Sequence, residues 1–367
     1  MSEHERESQT PDEPWENPMG TDGFEFVEYA APDPRALGAL FEQMGFVRAA
    51  RHRSKDVTLY RQGDINFVIN AEPDSFGQAF ARVHGPCVCA IGFRVQDAAE
   101  AYRRATTLGA WGVEGKAGPM ELNIPAIKGV GDSLLYLVDR YGERGTIYDV
   151  DFVPIADSAA AEEAAEGLGP NCVDHLTHNV HRGRLVEWAE FYERLFNFRE
   201  TSYFDIEGKH TGLKSRAMTS PCGKIRIPIN ESSDDQSQIQ EYLEAYRGEG
   251  IQHIALGCDD IYRSVEALRE RGVKFLATPD TYYEKVGERI GDHGEDLERL
   301  RANAILIDGA PAEGQGLLLQ IFTETVIGPI FFELIERKGN QGFGEGNFQA
   351  LFESIEEDQL RRGVLKS

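Results

Sequence analysis

Two histidines and one glutamate occupy comparable places in three segments of the C-terminal half: His175 in VDHLTHNV, His253 in GIQHIAL and Glu333 in PIFFELIERKG. Two neutral imidazoles and one carboxylate are the ligand set of a facial triad, which leaves positions open on a non-heme Fe(II) for substrate and oxygen. The same donors also accept other divalent ions, so the set by itself specifies an open metal site and no more. A lone histidine at the end of an apolar strand is commonly a hydrogen-bonded core residue, and His178 and His181 crowd the same stretch as His175. The weight therefore rests on the three residues together.

Each of the three follows or sits in a short apolar run that reads as a β-strand. Alternation puts Val173 and His175 on one face and Asp174 and Leu176 on the other, without saying which face is inward. The elements that carry them recur along the chain. GFEFVEYAAPDPRALGALFEQMGF parallels NCVDHLTHNVHRGRLVEWAEFYERLFNF as strand, loop and helix, with Leu185, Trp188, Tyr192 and Leu195 forming the helical stripe of the second copy. PCVCAIGFRVQDAAEAYRRATTLGA matches EGIQHIALGCDDIYRSVEALRERGV without a gap, setting Ala90 under His253, Asp97 under Asp260 and Gly109 under Gly272. An Asp where each helix starts and a Gly where it stops are capping chemistries.

Four related units, two per half, follow from this. We expect a polar tail over 1–21, an N-terminal domain over 22–155, a small acidic linker over 156–170, a catalytic domain over 171–340, and a closing loop and helix over 341–367. Glu28, Ala90 and Asp149 lie near the places matching His175, His253 and Glu333, so the first domain is expected to hold no metal.

Composition narrows the classes of function. With 367 residues, of which 41% are apolar, the chain can bury a sizeable core in two domains. A net charge of -24 and the lack of a clustered basic surface argue against nucleic acid and leave small molecules as the expected partners. No apolar run reaches the length of a membrane span and the N-terminal stretch has no signal-like apolar segment, so a cytoplasmic location is expected. Five cysteines are read as free thiols, with Cys87 and Cys89 as small apolar core residues.

Four units of strand, helix and further strands, paired into two open-barrel domains of α+β class, resemble the vicinal oxygen chelate fold. The stretches DHLTHNV, SQIQEYL, GEGIQHIAL, LLLQIF, FFELIERKG and GFGEGNFQALFESIE together resemble the 4-hydroxyphenylpyruvate dioxygenase family, over about residues 22–365. That resemblance implies one Fe(II) per chain on His175, His253 and Glu333, and no organic cofactor, because the substrate itself supplies the keto acid. It implies a polar substrate pocket from Ser215, Asn230, Gln238, Gln252 and Gln320. Neutral amides and hydroxyls suit a phenol and a keto acid, since they orient oxygens without competing for the metal. The resemblance adds aromatic walls from Phe322 and Phe331, and a loop in which Phe343, Asn347 and Phe348 face the ring. A C-terminal helix carrying Leu351, Phe352, Ile355 and Leu360 would close the cavity.

The implied reaction takes 4-hydroxyphenylpyruvate and O2 to homogentisate and CO2, in tyrosine and phenylalanine catabolism, with a homodimer or homotetramer as the expected assembly. Its neighbour is 4-hydroxymandelate synthase, which shares fold, iron site and substrate and hydroxylates the benzylic carbon instead. An extradiol catechol dioxygenase would need further acid-base histidines around the metal that have no clear counterpart here. A metal-free binding protein on the same scaffold is the alternative from another class.

Overall fold

The computed structural model describes residues 15–350 apart from 116–117, 119, 156–166, 208–211 and 235–236. Nine strands form a first sheet: β1 (Phe24–Ala30), β2 (Val47–His52), β3 (Val57–Gln62), β4 (Ile65–Asn70), β5 (Cys87–Arg94), β6 (Gly112–Val113), β7 (Ala126–Lys128), β8 (Leu134–Val138) and β9 (Phe152–Pro154). Eight form a second: β10 (Pro170–Val180), β11 (Arg199–Glu207), β12 (Gly212–Thr219), β13 (Arg226–Ser232), β14 (Gly250–Cys258), β15 (Leu306–Gly309), β16 (Leu317–Phe322) and β17 (Phe331–Lys338). The longer helices are α1 (Pro34–Gln43), α2 (Phe76–His84), α3 (Ala98–Thr107), α4 (Leu185–Phe196), α5 (Gln238–Tyr246) and α6 (Ile261–Glu270).

Strand order runs β6-β7-β8-β5-β1-β4-β3-β2-β9 in one sheet and β11-β12-β13-β10-β14-β17-β16-β15 in the other. Apart from the added edge strand β9, the two orders are the same order. Each half is two copies of strand, helix and three strands. Antiparallel pairs β1·β5 and β10·β14 sit at the centres, and each central strand is flanked on its other side by a parallel neighbour from its own copy. The expected α+β vicinal oxygen chelate architecture stands.

Local chemistry explains the repeat. The side chains of Asp97 and Asp260 accept from the backbone N–H groups of Glu100 and Arg263 at 2.8 and 3.0 Å, so both helices begin on an aspartate cap. Gly109 and Gly272 take φ of +92° and +84° just past those helices, a conformation that costs glycine nothing. Asp33 caps α1 with Pro34 in its first turn.

One apolar core runs through both halves, with Val27, Tyr29 and Phe93 from the first sheet and Leu176, Ile254 and Phe332 from the second. Reciprocal contacts seal the junction: Gln43 Nε2 donates to the Arg271 carbonyl at 2.9 Å, and Arg271 Nη1 returns a bond to the Glu42 carbonyl at 3.1 Å.

Pairing register gives the true counterparts of the triad in the first half. Phe26 faces Gly92, as His175 faces Ala255, and Gly92 faces Tyr136, as Ala255 faces Glu333. The first half therefore sets Phe26, Ala90 and Tyr136 where the second sets His175, His253 and Glu333. This corrects the expected places of Glu28, which matches Thr177, and Asp149, which lies in a short helix over Tyr148–Asp151. Phe26 and Glu28 share a strand face by alternation, so only the pairing with the neighbouring strand tells which of them stands in the place of His175.

In the first half this face is a closed apolar cluster of Phe26, Leu59, Val68, Val138 and Tyr148, with the rings of Phe26 and Tyr136 centred 5.6 Å apart. A side chain built at Gly92 would come within 2.7 Å of the Phe26 ring, so the space is filled.

Two boundaries also change. Residues 15–21, expected to belong to a loose tail, are packed down: Trp15 Nε1 donates to the Asn197 carbonyl at 2.7 Å, the Arg199 guanidinium lies over the Trp15 ring, and Met19 is buried. Composition could not reveal this, because the partners are distant along the chain: Asn197 and Arg199 for Trp15, and Gln96, whose N–H donates to the Met19 carbonyl at 3.0 Å. Strand β10 begins at Pro170, one residue inside the expected linker. The expected helix with Leu351, Phe352, Ile355 and Leu360 lies outside the described residues.

Candidate metal centre and active site

Three of the four central strands of the second sheet bring the triad together: β10 supplies His175, β14 supplies His253 and β17 supplies Glu333. All three side chains are buried, and one donor atom from each lies within 4.8 Å of the other two. Glu333 Oε2 stands 3.2 Å from Nε2 of His175 and 3.3 Å from Nε2 of His253. Three buried atoms that carry lone pairs gather here, an arrangement that calls for a proton or a cation among them. The donor set fits a divalent metal with an open face.

The backbone explains how the imidazoles are aimed. Each of the two histidines is preceded by a bulged residue: the pairing skips Asp174 between Val173 and His175, and skips Gln252 between Ile251 and His253. A bulge places two residues against one on the partner strand and re-aims the side chain beside it. Asp174 Oδ1 thereby reaches Nδ1 of His175 at 2.8 Å, and Gln252 Oε1 reaches Nδ1 of His253 at 3.2 Å. Both oxygens accept, so each imidazole carries its proton on Nδ1 and presents Nε2 inward. The first half has the same two bulges, at Glu25 and Cys89, with no imidazole beside either.

Charge follows geometry. Burial raises the Glu333 carboxyl, but the two imidazoles outweigh it and hold the group down at about 2. Burial lowers His175, yet Glu333 and Asp174 flank it and carry it above its ordinary value. His253 has a neutral amide where His175 has a carboxylate, and burial leaves it below its ordinary value.

The remaining expected site residues divide. Ser215 and Asn230 face one another on β12 and β13, and Asn230 pairs in register with Asn179 of β10. These three continue the face that carries Thr177 and the triad, which makes one end of the cavity polar. Phe331 stacks on the His253 ring at 4.9 Å, and Phe322 stands edge-on to Phe331 at 5.9 Å. Phe343 meets the His175 ring edge-on at 5.4 Å, whereas Phe348 is half exposed and reaches only Phe322, at 6.4 Å.

Gln320 is engaged within the protein at both ends: its Nε2 donates to Glu333 Oε1 at 3.1 Å and its Oε1 accepts from Asn347 Nδ2 at 2.8 Å. Gln238, expected in the pocket, is instead the exposed first residue of α5 and does not join the others. A helix-start residue has no strand register to aim it, which is why sequence reasoning misplaced it.

Four residues were missed. Asp174 orients His175, Thr177 Oγ1 lies 2.9 Å from His253 Nε2, Asn179 borders Asn230, and Arg337 holds Asp174 through bonds of 2.7 and 2.8 Å. Asp174, Thr177 and Asn179 stand in the motif VDHLTHNV beside His175, so proximity was the available signal.

Known proteins carry the same organisation. The family model described as hydroxyphenylpyruvate dioxygenase, N-terminal, matches residues 15–153, and that of the glyoxalase/bleomycin resistance protein/dioxygenase superfamily matches residues 173–297. A 4-hydroxyphenylpyruvate dioxygenase of Pseudomonas aeruginosa is 61% identical, over 95% of this chain and 97% of its own length. A protein of Vibrio vulnificus named hemolysin VllY is 64% identical, over 96% and 98%. The solved structure of a substituted 4-hydroxymandelate synthase from Streptomyces coelicolor superposes with a TM-score of 0.78 at 28% identity, covering 93% of this chain and all of that one. With two domain models in order, full-length relatives at this identity and a buried His-His-Glu set, the chain belongs to the 4-hydroxyphenylpyruvate dioxygenase family and is an enzyme of the vicinal oxygen chelate superfamily.

Proposed function

We propose that His175, His253 and Glu333 hold one Fe(II), and that the enzyme converts 4-hydroxyphenylpyruvate and O2 to homogentisate and CO2. The observation that carries this reading is the contrast between the two halves. The same sheet face is an apolar plug around Phe26 and Tyr136 in the first, and carries a buried three-donor set in the second. When bound, the iron supplies the redox chemistry that joins O2 to the keto acid, so oxidative decarboxylation and ring hydroxylation need no organic cofactor.

The protein's own residues bind, orient and exclude water. Asp174 and Gln252 keep the proton of each imidazole on Nδ1 and the inner nitrogen free for the metal. Gln320 fixes the second oxygen of Glu333, which leaves the first turned toward the imidazoles. Phe331 and Phe322, packed edge to face, set an apolar wall beside the metal position, suited to an aromatic ring. Ser215 and Asn230, with Asn179 behind them, offer hydroxyl and amide partners for the phenol oxygen. Holding the ring and the keto acid in one buried chamber supplies orientation, the main contribution available to side chains that need not move a proton themselves.

The same fold and donor set would serve 4-hydroxymandelate formation, and the structural likeness to that synthase favours keeping it as the second reading. Incubation of the purified chain with 4-hydroxyphenylpyruvate, Fe(II) and O2, followed by chromatographic product analysis, separates them. Homogentisate is the expected product, 4-hydroxymandelate would establish the second reading, and turnover to neither would overturn both. We place the enzyme in the cytoplasm as a homodimer or homotetramer in tyrosine breakdown; no helix among the described residues is long and apolar enough to cross a membrane.

A further inference from the structure

We propose that Arg337 is a positioning residue that ties the loop closing the chamber to the metal ligand His175. This rests on the reading of His175 as a ligand. Arg337 lies on β17 four residues beyond Glu333, on the same strand face by alternation. Its guanidinium makes four hydrogen bonds in two directions. Toward the metal side, Nε and Nη2 donate to the two oxygens of Asp174 at 2.7 and 2.8 Å, the bidentate fork that fixes a carboxylate plane. Asp174 in turn holds Nδ1 of His175.

Toward the loop, Nη1 donates to the backbone carbonyls of Asn340 at 3.1 Å and Gly342 at 2.7 Å. The guanidinium also lies over the Phe343 ring, 5.7 Å from its centre, and that ring meets His175 edge-on. His175 is therefore held from two sides, by Asp174 at its Nδ1 and Phe343 at its ring, and Arg337 joins both; Arg226 adds a weaker tie, with Nη1 3.4 Å from Asp174 Oδ2 and Nη2 donating to Gln341 Oε1 at 2.7 Å. Asp174 is buried and Arg337 largely so, which limits the competition of solvent for the fork. A lysine would keep the charge but has a single nitrogen, which cannot span a carboxylate and two carbonyls at once.

The consequence is mutual. Seating the 340–343 loop stabilises the Asp174 plane that sets the His175 imidazole, and filling the metal position stabilises the seated loop.

Full-length wild type, R337K, R337Q and D174N are compared by anaerobic Co(II) titration against a chelating dye, by the Co(II) absorption spectrum, and by the rate of limited proteolysis in the 340–350 segment. Removing an outer hydrogen-bond partner of a metal ligand costs about 10- to 100-fold in affinity. We expect R337K and R337Q to lose Co(II) affinity in that range, to show an altered Co(II) spectrum, and to be cut faster than wild type with Co(II) present. D174N should show the same losses, and D174N/R337Q should be no worse than either single variant. R337K retains the charge and the apolar stem, so it serves if R337Q does not fold. Wild-type Co(II) affinity and spectrum in folded R337K, or full additivity in the double variant, would overturn the proposal. H175A is the separate control: if it binds Co(II) as wild type does, the ligand assignment has failed, and not the role of Arg337.

Discussion

Tyr136 holds in the first half the register position that Glu333 holds in the second, each paired with the equivalent residue of a central strand, Gly92 or Ala255. One fold thus appears twice, with an apolar plug in one copy and a donor set in the other. The difference lies in side chains on one face and not in backbone path. It separates stability from chemistry in a way that substitutions can read.

Phe26 is 6% exposed and packs in the apolar cluster of the first half, so F26A should destabilise the protein by about 3–5 kcal/mol through the cavity it leaves. Metal content of the folded fraction, measured by mass spectrometry, should match wild type. Loss of metal in folded F26A would show that the first half takes part in binding.

Glu333→Ala and His253→Ala should do the converse. Metal content after dialysis should fall to background, with turnover, while the second sheet stays folded by circular dichroism. Each removes one member of a buried set in which the imidazoles hold the Glu333 carboxylate, so the metal-free protein should lose stability while staying folded. Unchanged iron and turnover in both variants would end the triad assignment.

Gly344 lies at φ +79°, and a methyl group there would fall 1.7 Å from Gln320 Oε1, inside its bonding radius. G344A must therefore displace the amide that joins Asn347 to Glu333. Loss of such an outer partner predicts about a 10- to 100-fold fall in activity or metal affinity. G314A, at a comparable positive φ with open space around it, should leave both near wild type and so isolate strain from the clash. Equal effects of the two substitutions would refute the relay.

His178, on β10, is fully buried, with Nε2 beside the Tyr192 hydroxyl at 2.8 Å and Nδ1 without a hydrogen-bond partner among the described residues. Burial lowers it to about 3. The unfolded chain takes up this proton near pH 6.5, while the folded chain refuses it until about 3, so between these values the unfolded state binds more protons and stability falls as pH drops. The slope from this one group approaches ~1.4 kcal/mol per pH unit. Urea midpoints from pH 7 to 4 should fall more steeply for wild type than for H178N. Parallel curves would remove His178 as the cause.

Most of the fold was legible in the sequence because its signals are local. Capping aspartates at Asp97 and Asp260, the glycines that end those helices, and the gapless match of two strands all depend on neighbours within a turn or two of chain. The same holds for the nomination of His175, His253 and Glu333, each in a motif of a few residues. What the amino-acid order determined alone was the set of units, their repeat and the candidate ligands.

The tertiary structure decided which side chains meet. Only pairing register could show that Phe26 and Tyr136, not Glu28 and Asp149, stand in the places of His175 and Glu333, because Phe26 and Glu28 share a face by alternation and only the partner strand tells them apart. Only long-range packing could turn Gln238 out to solvent, spend Gln320 on Glu333 and Asn347, and set Arg337 between Asp174 and the closing loop. Those contacts join residues distant along the chain, so no local pattern carries them. They exist only once the sheet has brought its strands side by side.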